Sequence, residues 1–297
     1  MEREGKKEKF RGVRYVRRMS WIFSTPSLIV MTLFGWIPLA ATFLIAFQKY
    51  HVIFGAKYVG WENFRSLFQD QPLLPTAFIN TFYYCFLSII LTFMIPIIIA
   101  TLLMEMRKSV IRIMMILWFI PVASMAGLII WRWFYNVDYG FFNGILSKLG
   151  FPTLLWLNDS RLTMLCLVLP GLIMFAPGLI YIATLQSIPE ELYEAAELEG
   201  CSLWQKIWYI TLPRMRPIIA VMLMLSVISK LQVFDQPYVM TGGGPNYATF
   251  TIVMMIVKQA FYSMRFGLGS ALTVLIFVII MSLIILQRKL FKENIDR

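Results

Sequence analysis

Six long apolar runs punctuate the chain, at about 21–47, 78–104, 113–134, 162–186, 218–239 and 267–286. Roughly 20 apolar helical residues cross a hydrocarbon layer about 30 Å thick, so each run predicts one membrane-spanning helix. The connections carry weaker patterns. In "YVGWENFRSLF", Trp61, Phe64, Leu67 and Phe68 share one helical face. That predicts a short helix lying in the membrane interface or packed over the spans. In the fourth run, Pro170-Gly171 and Pro177-Gly178 stand seven residues apart, on one face. Each proline removes a backbone hydrogen bond and predicts a kink. Ser226, Ser229, Gln232 and Gln236 form a polar stripe along the fifth run. Such a stripe serves either a solute path or helix packing.

No soluble, domain-sized stretch interrupts the runs. The expected fold is all-α, a polytopic membrane domain over 19–290 between a basic tail, 1–18, and a short tail, 291–297. The first run is too long for an export signal and reads as a span. A net charge of +11 invites a nucleic-acid reading, but the placement of the charge favours a membrane. Eighteen of the 27 basic residues lie in the two tails, the connection Arg107–Arg112 and the connection between the fourth and fifth runs; seven lie in the alternate connections. The positive-inside bias puts both tails in the cytoplasm.

The chemistry of an enzyme is missing. No G-x-x-x-x-G-K-[ST] loop is present, and "TGGGPN" reads as a turn. His51 is the only histidine, which excludes His-based zinc motifs and leaves no catalytic or metal residue to nominate. Cys85, Cys166 and Cys201 imply no disulfide framework.

One polar stretch is unlike the other connections: residues 187–217, "SIPEELYEAAELEGCSLWQKIWYITLPRMRP". Five glutamates fall within its positions 190–199. Ser187 and Glu190 have capping-box spacing, and Pro189 suits a first turn. Leu192, Ala195, Ala196 and Glu199 then share a face, and Gly200 fits the left-handed closure of a helix. Ser202 and Gln205 form a second box. "LPRMRP" is expected to end the second helix before the fifth span. A helical hairpin is the result, either a connector or a docking surface for a soluble partner.

"EAAELEGCSLWQKIWYITLP", residues 194–213, resembles the cytoplasmic EAA signature of the permease subunits of binding-protein-dependent type I ABC importers. Glu194, Ala195, Ala196, Gly200, Ile210, Leu212 and Pro213 match; Glu199 stands where Asp is usual and Cys201 where Ala is usual. "YVGWENF", "NTF", "IIWRWFYNVDYGFFNGIL", "LQSIPEELYEAA" and "FDQPYVMTGGGPNYAT" are similar to the carbohydrate-uptake branch, the maltose and glycerol-phosphate permease group. The resemblance implies a prokaryotic cell-membrane permease working with a second homologous permease, two ATPase subunits and an extracytoplasmic solute-binding protein. It implies that ATP and Mg are bound by the ATPase and not by this chain. It also implies that the hairpin is a coupling helix, with Glu190, Glu194, Ala195, Ala196, Gly200, Leu212 and Pro213 meeting the ATPase.

A sugar is the expected solute and a polyol phosphate the alternative. Gln232, Asp235 and Gln236 are the expected polar groups of its path, with Trp131 and Tyr238 as stacking surfaces. An ion-driven transporter predicts midplane acids and no such hairpin, and a membrane anchor needs no kinked spans. The charge bias makes a direct expectation. A cysteine near Asn246 reacts with an impermeant thiol reagent from outside the cell and one near Lys206 does not; the reverse labelling contradicts the orientation.

Overall fold

The computed structural model describes residues 19–51, 55–104, 106–118, 125–172 and 176–295. The basic tail 1–18 lies outside them. The described residues open with α1, Met19–Ala46, which is exposed over 20–40 and covered only near its C-terminal end. It then turns through a two-stranded antiparallel hairpin, β1 Gln48–His51 and β2 Gly55–Tyr58. The other described elements are helices, so the all-α expectation holds apart from this hairpin. The short helix α2, Glu62–Gln69, follows where the pattern placed it. Leu67 is buried and Phe64 packs on the core, whereas Trp61 and Phe68 stay exposed. So α2 lies over the bundle with part of its aromatic face uncovered.

Next come α3, Leu74–Leu103, then α4, Lys108–Trp118, and α5, Met125–Phe134. Residues 119–124, in the middle of the third run, lie outside the described set. After α6, Phe141–Lys148, the fourth run begins with α7, Thr163–Leu172, and resumes as α8, Ala176–Leu185. The helix tightens to a 3-10 turn at Leu169–Leu172, around Pro170-Gly171 as the proline pattern expects. The later helices are α9 Glu190–Leu198, α10 Leu203–Leu231, α11 Asp235–Thr241, α12 Ile252–Tyr262 and α13 Phe266–Ile295.

Among the described residues, four helices are long and apolar enough to cross a membrane: α1, α3, α10 and α13. The chain is therefore a multi-pass membrane protein. Three boundaries differ from the sequence pattern. The helix of the fifth run starts at Leu203 and stops at Leu231, so the expected span 218–239 breaks near its C-terminal end. A further apolar helix, α12, buries Ile252, Met254 and Met255 where only a loop was expected. And α13 continues as helix to Ile295, through most of the expected tail 291–297.

Prolines account for three of the irregular turns inside these helices; a fourth, Lys258–Tyr262, has no proline near it. Wide π turns at Thr32–Trp36, Ile89–Phe93 and Ile207–Thr211 stand just ahead of Pro38, Pro96 and Pro213. Proline has no N–H to give to the carbonyl four residues back, and the ladder widens to adjust.

Asparagines hold the places where the chain leaves its helices. Asn63 Nδ2 donates to the carbonyls of Ala46 and Gln48, at 2.8 and 2.9 Å. Gly267 sits so close to Gln48 O and to Asn63 that a Cβ there has no room. Asn80 Nδ2 donates to Tyr247 O and Phe250 O, at 2.7 and 3.0 Å. Next to it, Thr81 Oγ1 accepts from Ile252 N at 3.0 Å. Asn143 donates to Val137 O and Leu154 O and accepts from Leu154 N and Trp156 Nε1. All four of its amide positions are used.

Apolar packing forms three clusters. One joins α1, α3, α12 and α13 around Ala46, Leu74, Ile252 and Leu272. A second centres on Tyr84, Trp131, Tyr135 and Leu167. The third, around Ile97, Tyr181, Leu185 and Met215, lies where α3, α8 and the start of α10 meet. It supports the hairpin from below. The clamps carry a testable cost. Asn80→Ala strands two buried carbonyls and is expected to destabilise by about 2 kcal/mol. For a chain of this size that lowers the thermal midpoint of the purified protein by about 5 °C; an unchanged midpoint means the clamp contributes nothing.

Candidate functional site

The hairpin is a compact unit set on the end of α10. Its first helix, α9, starts after Pro189, whose ψ of 130° is outside the helical region. The expected capping box at Ser187 is not made. Ser187 Oγ instead donates back to Thr184 O at 2.6 Å, satisfying a carbonyl at the end of α8. The C-terminus forms as expected. Gly200 has φ +74°, and the amides of Gly200 and Cys201 bond to Glu197 O and Ala196 O at 3.0 and 2.9 Å. This is a complete Schellman closure. The second box is also complete: Ser202 N donates to Gln205 Oε1 at 2.7 Å, and Gln205 N donates to Ser202 Oγ at 3.4 Å.

Side chains then bind the two arms together. Lys206 Nζ lies 2.7 Å from Glu197 Oε1, across the turn. Tyr193 OH and Thr211 Oγ1 are 3.0 Å apart. Neither contact was anticipated, although a nine-residue spacing across a glycine-closed hairpin is its signal for the ion pair. Glu197 is exposed, so solvent screening keeps the pair to a modest energy. Its role is to fix the angle between the arms.

These contacts decide which face is presented. Ala196 is buried and Leu192 and Tyr193 are half-buried, while Ala195 is exposed. The two alanines thus part company, correcting the expectation that both line one outward face. The outward face is Glu191, Glu194, Ala195 and Leu198, at the i, i+3, i+4, i+7 spacing of a helical stripe. Leu198 is 91% exposed. Glu190 is exposed in the first turn. Leu212 packs on the cluster beneath and Pro213 lies exposed on α10. "LPRMRP" does not end the second arm, because α10 runs through both prolines to Leu231.

At the far end of α10 the polar stripe is interrupted. Gln232 is the last residue before a non-helical link, and α11 begins at Asp235. Thr251 Oγ1 bonds to Val233 O at 3.1 Å within this break. Gln232, Asp235 and Tyr238 are exposed and Gln236 is half-buried. Tyr238 stacks on Phe234, with ring centroids 4.8 Å apart, and its hydroxyl lies 3.3 Å from that of Tyr262. Trp131 is brought close to this segment but is only 7% exposed. Its ring packs against Phe134, Tyr135 and Phe142. Lys230, the last but one residue of α10, holds its Nζ 6.0 Å from the centre of the Tyr84 ring. Tyr84 lies ten residues into α3, about 15 Å along it at 1.5 Å per residue.

The chain is similar to known proteins in sequence and in fold. Residues 94–294 match the model of the family described as "Binding-protein-dependent transport system inner membrane component". The sulfoquinovosyl glycerol transport system permease protein SmoG of Agrobacterium fabrum is 32% identical over 272 residues, 89% of this chain and 87% of that protein. The trehalose/maltose transport system permease protein MalF of Thermococcus litoralis is 32% identical over 286 residues, 94% of this chain and 95% of that protein. A chain from the crystal structure of a bacterial ABC transporter involved in the import of the acidic polysaccharide alginate has the same fold, with TM-score 0.82 at 22% identity over 95% of this chain and 99% of that one.

The geometry at Gly200 is testable directly. No neighbouring atom lies near its missing Cβ, so a substitution meets only the backbone cost of a left-handed residue. That cost is about 1–2 kcal/mol for most side chains and smaller for asparagine. Amide exchange at Cys201 is expected to quicken in Gly200→Val and stay close to wild type in Gly200→Asn. Equal exchange in both variants contradicts the Schellman closure.

Proposed function

The chain belongs to the family of binding-protein-dependent transport system inner membrane components, and from that premise we propose that it is one permease of an ATP-driven sugar importer. The proposed complex contains a second homologous permease, two ATPase subunits that hold ATP and Mg, and an extracytoplasmic solute-binding protein. Six spans are proposed, with the third and fourth runs completing those of α1, α3, α10 and α13. Both termini and the hairpin face the cytoplasm in this reading.

The observation that carries it is the braced hairpin with its outward stripe of Glu191, Glu194, Ala195 and Leu198. A leucine 91% exposed beside two carboxylates and a small alanine is unlike a surface meant for water alone. It suits a shallow cleft that is apolar at its floor and basic at its rim. The ATPase is the proposed owner of that cleft. From the hairpin, α10 runs 29 residues without interruption, about 43 Å at 1.5 Å per residue. A movement imposed at the hairpin therefore reaches Ser226, Ser229, Lys230 and Gln232 beside the break. We take these groups, with Asp235, Gln236 and Tyr238, as the lining of the solute path. Broken helices at such depth free backbone groups that a polar solute can meet. The names of the trehalose/maltose and sulfoquinovosyl glycerol relatives support a sugar as that solute.

Charge reversal separates docking from mere connection. Glu194→Lys and Leu198→Asp leave the chain inserted and bound to the second permease, but lower the copurified ATPase per permease. They also abolish stimulation of ATP hydrolysis by the sugar-loaded binding protein. Wild-type values of both quantities in both variants mean that the hairpin is a connector only.

A further inference from the structure

Lys230 is a cation without a counter-ion in its own chain. Asp235 is the only acidic residue in the six apolar runs. It heads α11, past the break, where a carboxylate is favoured by the positive helix start. No carboxylate lies within ion-pair distance of Lys230 among the described residues. Its ammonium makes no hydrogen bond there either. What it has is the face of Tyr84 at 6.0 Å, the outer limit of a cation–π contact.

The surroundings tell what kind of medium the ammonium meets. The exposed face of α10 is apolar at Val221 and Leu225 and turns polar at Ser229 and Gln232. Lys230 stands at this change, half-buried, with Ser229 before it and Ser226 one turn back. A charged group within a span faces a partner or a wet cavity, because hydrocarbon alone does not solvate it. Lipid headgroups are too far to serve, since Tyr84 lies about 15 Å along α3 from its start. The lysine stem is long and flexible, so the ammonium can leave the weak ring contact for an anion in the break.

This uncovered charge narrows the solute. A neutral sugar offers the ammonium hydroxyls only. A carboxylate, sulfonate or phosphate offers a bond between two charges, roughly twice as strong as a neutral one. We infer that the solute of this permease is an acidic sugar. Lys230 meets its anionic group, and Ser226, Ser229, Gln232 and Gln236 meet its hydroxyls. The inference rests on the importer reading for the path itself and adds the charge of what passes along it.

The test uses the assembled complex in nanodiscs without binding protein. Cys201 is replaced by Ser, Cys85 and Cys166 stay buried, and Ser229→Cys supplies a reporter beside Lys230. Labelling is followed with a sulfonate-bearing, anionic methanethiosulfonate and with a trimethylammonium-bearing, cationic one, at equal ionic strength. With Lys230 in place, the ratio of the two rates favours the anionic reagent about tenfold more than in Lys230→Gln or Lys230→Met. That is the effect of one unpaired charge about 6 Å away in water on reagents of opposite sign. Lys230→Arg keeps the preference. Glucuronate, galacturonate trimer and glucose 6-phosphate are then compared as protectants with glucose, galactotriose and glucose. At least one acidic sugar protects at about tenfold lower concentration than its neutral counterpart, and Lys230→Gln removes that advantage. Two results overturn the proposal. One is a rate ratio unchanged by Lys230→Gln, which means that an acid of the second permease already neutralises the lysine. The other is that no acidic sugar protects better than its neutral counterpart. If protection depends on Lys230 but no loaded binding protein stimulates ATP hydrolysis, the importer reading fails and the anion site stands.

Discussion

In hydrocarbon no water reaches a carbonyl that the helix ladder leaves unpaired, and each such group costs several kcal/mol. This chain leaves its helices repeatedly near or within that layer, and its arrangement depends on where those carbonyls go. Asn63 takes two of them at the end of α1, and Asn80 takes two in the loop before α12. Thr251 takes that of Val233 in the break after α10. The result is a bundle whose irregular segments are as firmly held as its helices. Irregular backbone can then serve a solute path without unravelling the spans around it.

The same logic of local satisfaction builds the hairpin of α9 and the start of α10. Its turn is closed by the Gly200 and Cys201 amides, its second arm by the reciprocal Ser202–Gln205 bonds. Glu197–Lys206 and Tyr193–Thr211 brace the arms from the side. α10 carries the hairpin at one end and the break at the other. In the proposed importer a push at the hairpin is passed along this helix, where a looser connection would absorb it.

Features set by near neighbours were legible in the sequence. Gly200 and the Ser202–Gln205 box rest on spacings of a few residues, and the kink at Pro170 on one residue's missing N–H. Features set at a distance were not. Asn80 meets carbonyls 167 and 170 positions away, and "NTF" alone gives no hint of that. The break after Leu231 contains neither proline nor glycine, and the polar stripe reads straight through it. Ala195 and Ala196 are about 100° apart on a helix, and only packing against the second arm decides which faces outward. Ser187 has the spacing of a cap, yet the end of α8 competes for its hydroxyl. The segment 232–238 was nominated from its polar residues, whereas the approach of Lys230 to the Tyr84 ring needed the fold.

Energy source is the claim on which the account turns. The measurement is uptake of a radiolabelled sugar into proteoliposomes holding the whole complex, with ATP sealed inside and loaded binding protein outside. The account predicts accumulation that needs both, is unaffected by collapsing proton and sodium gradients, and stops when ATP is replaced by a non-hydrolysable analogue. Accumulation driven by an ion gradient without ATP contradicts it.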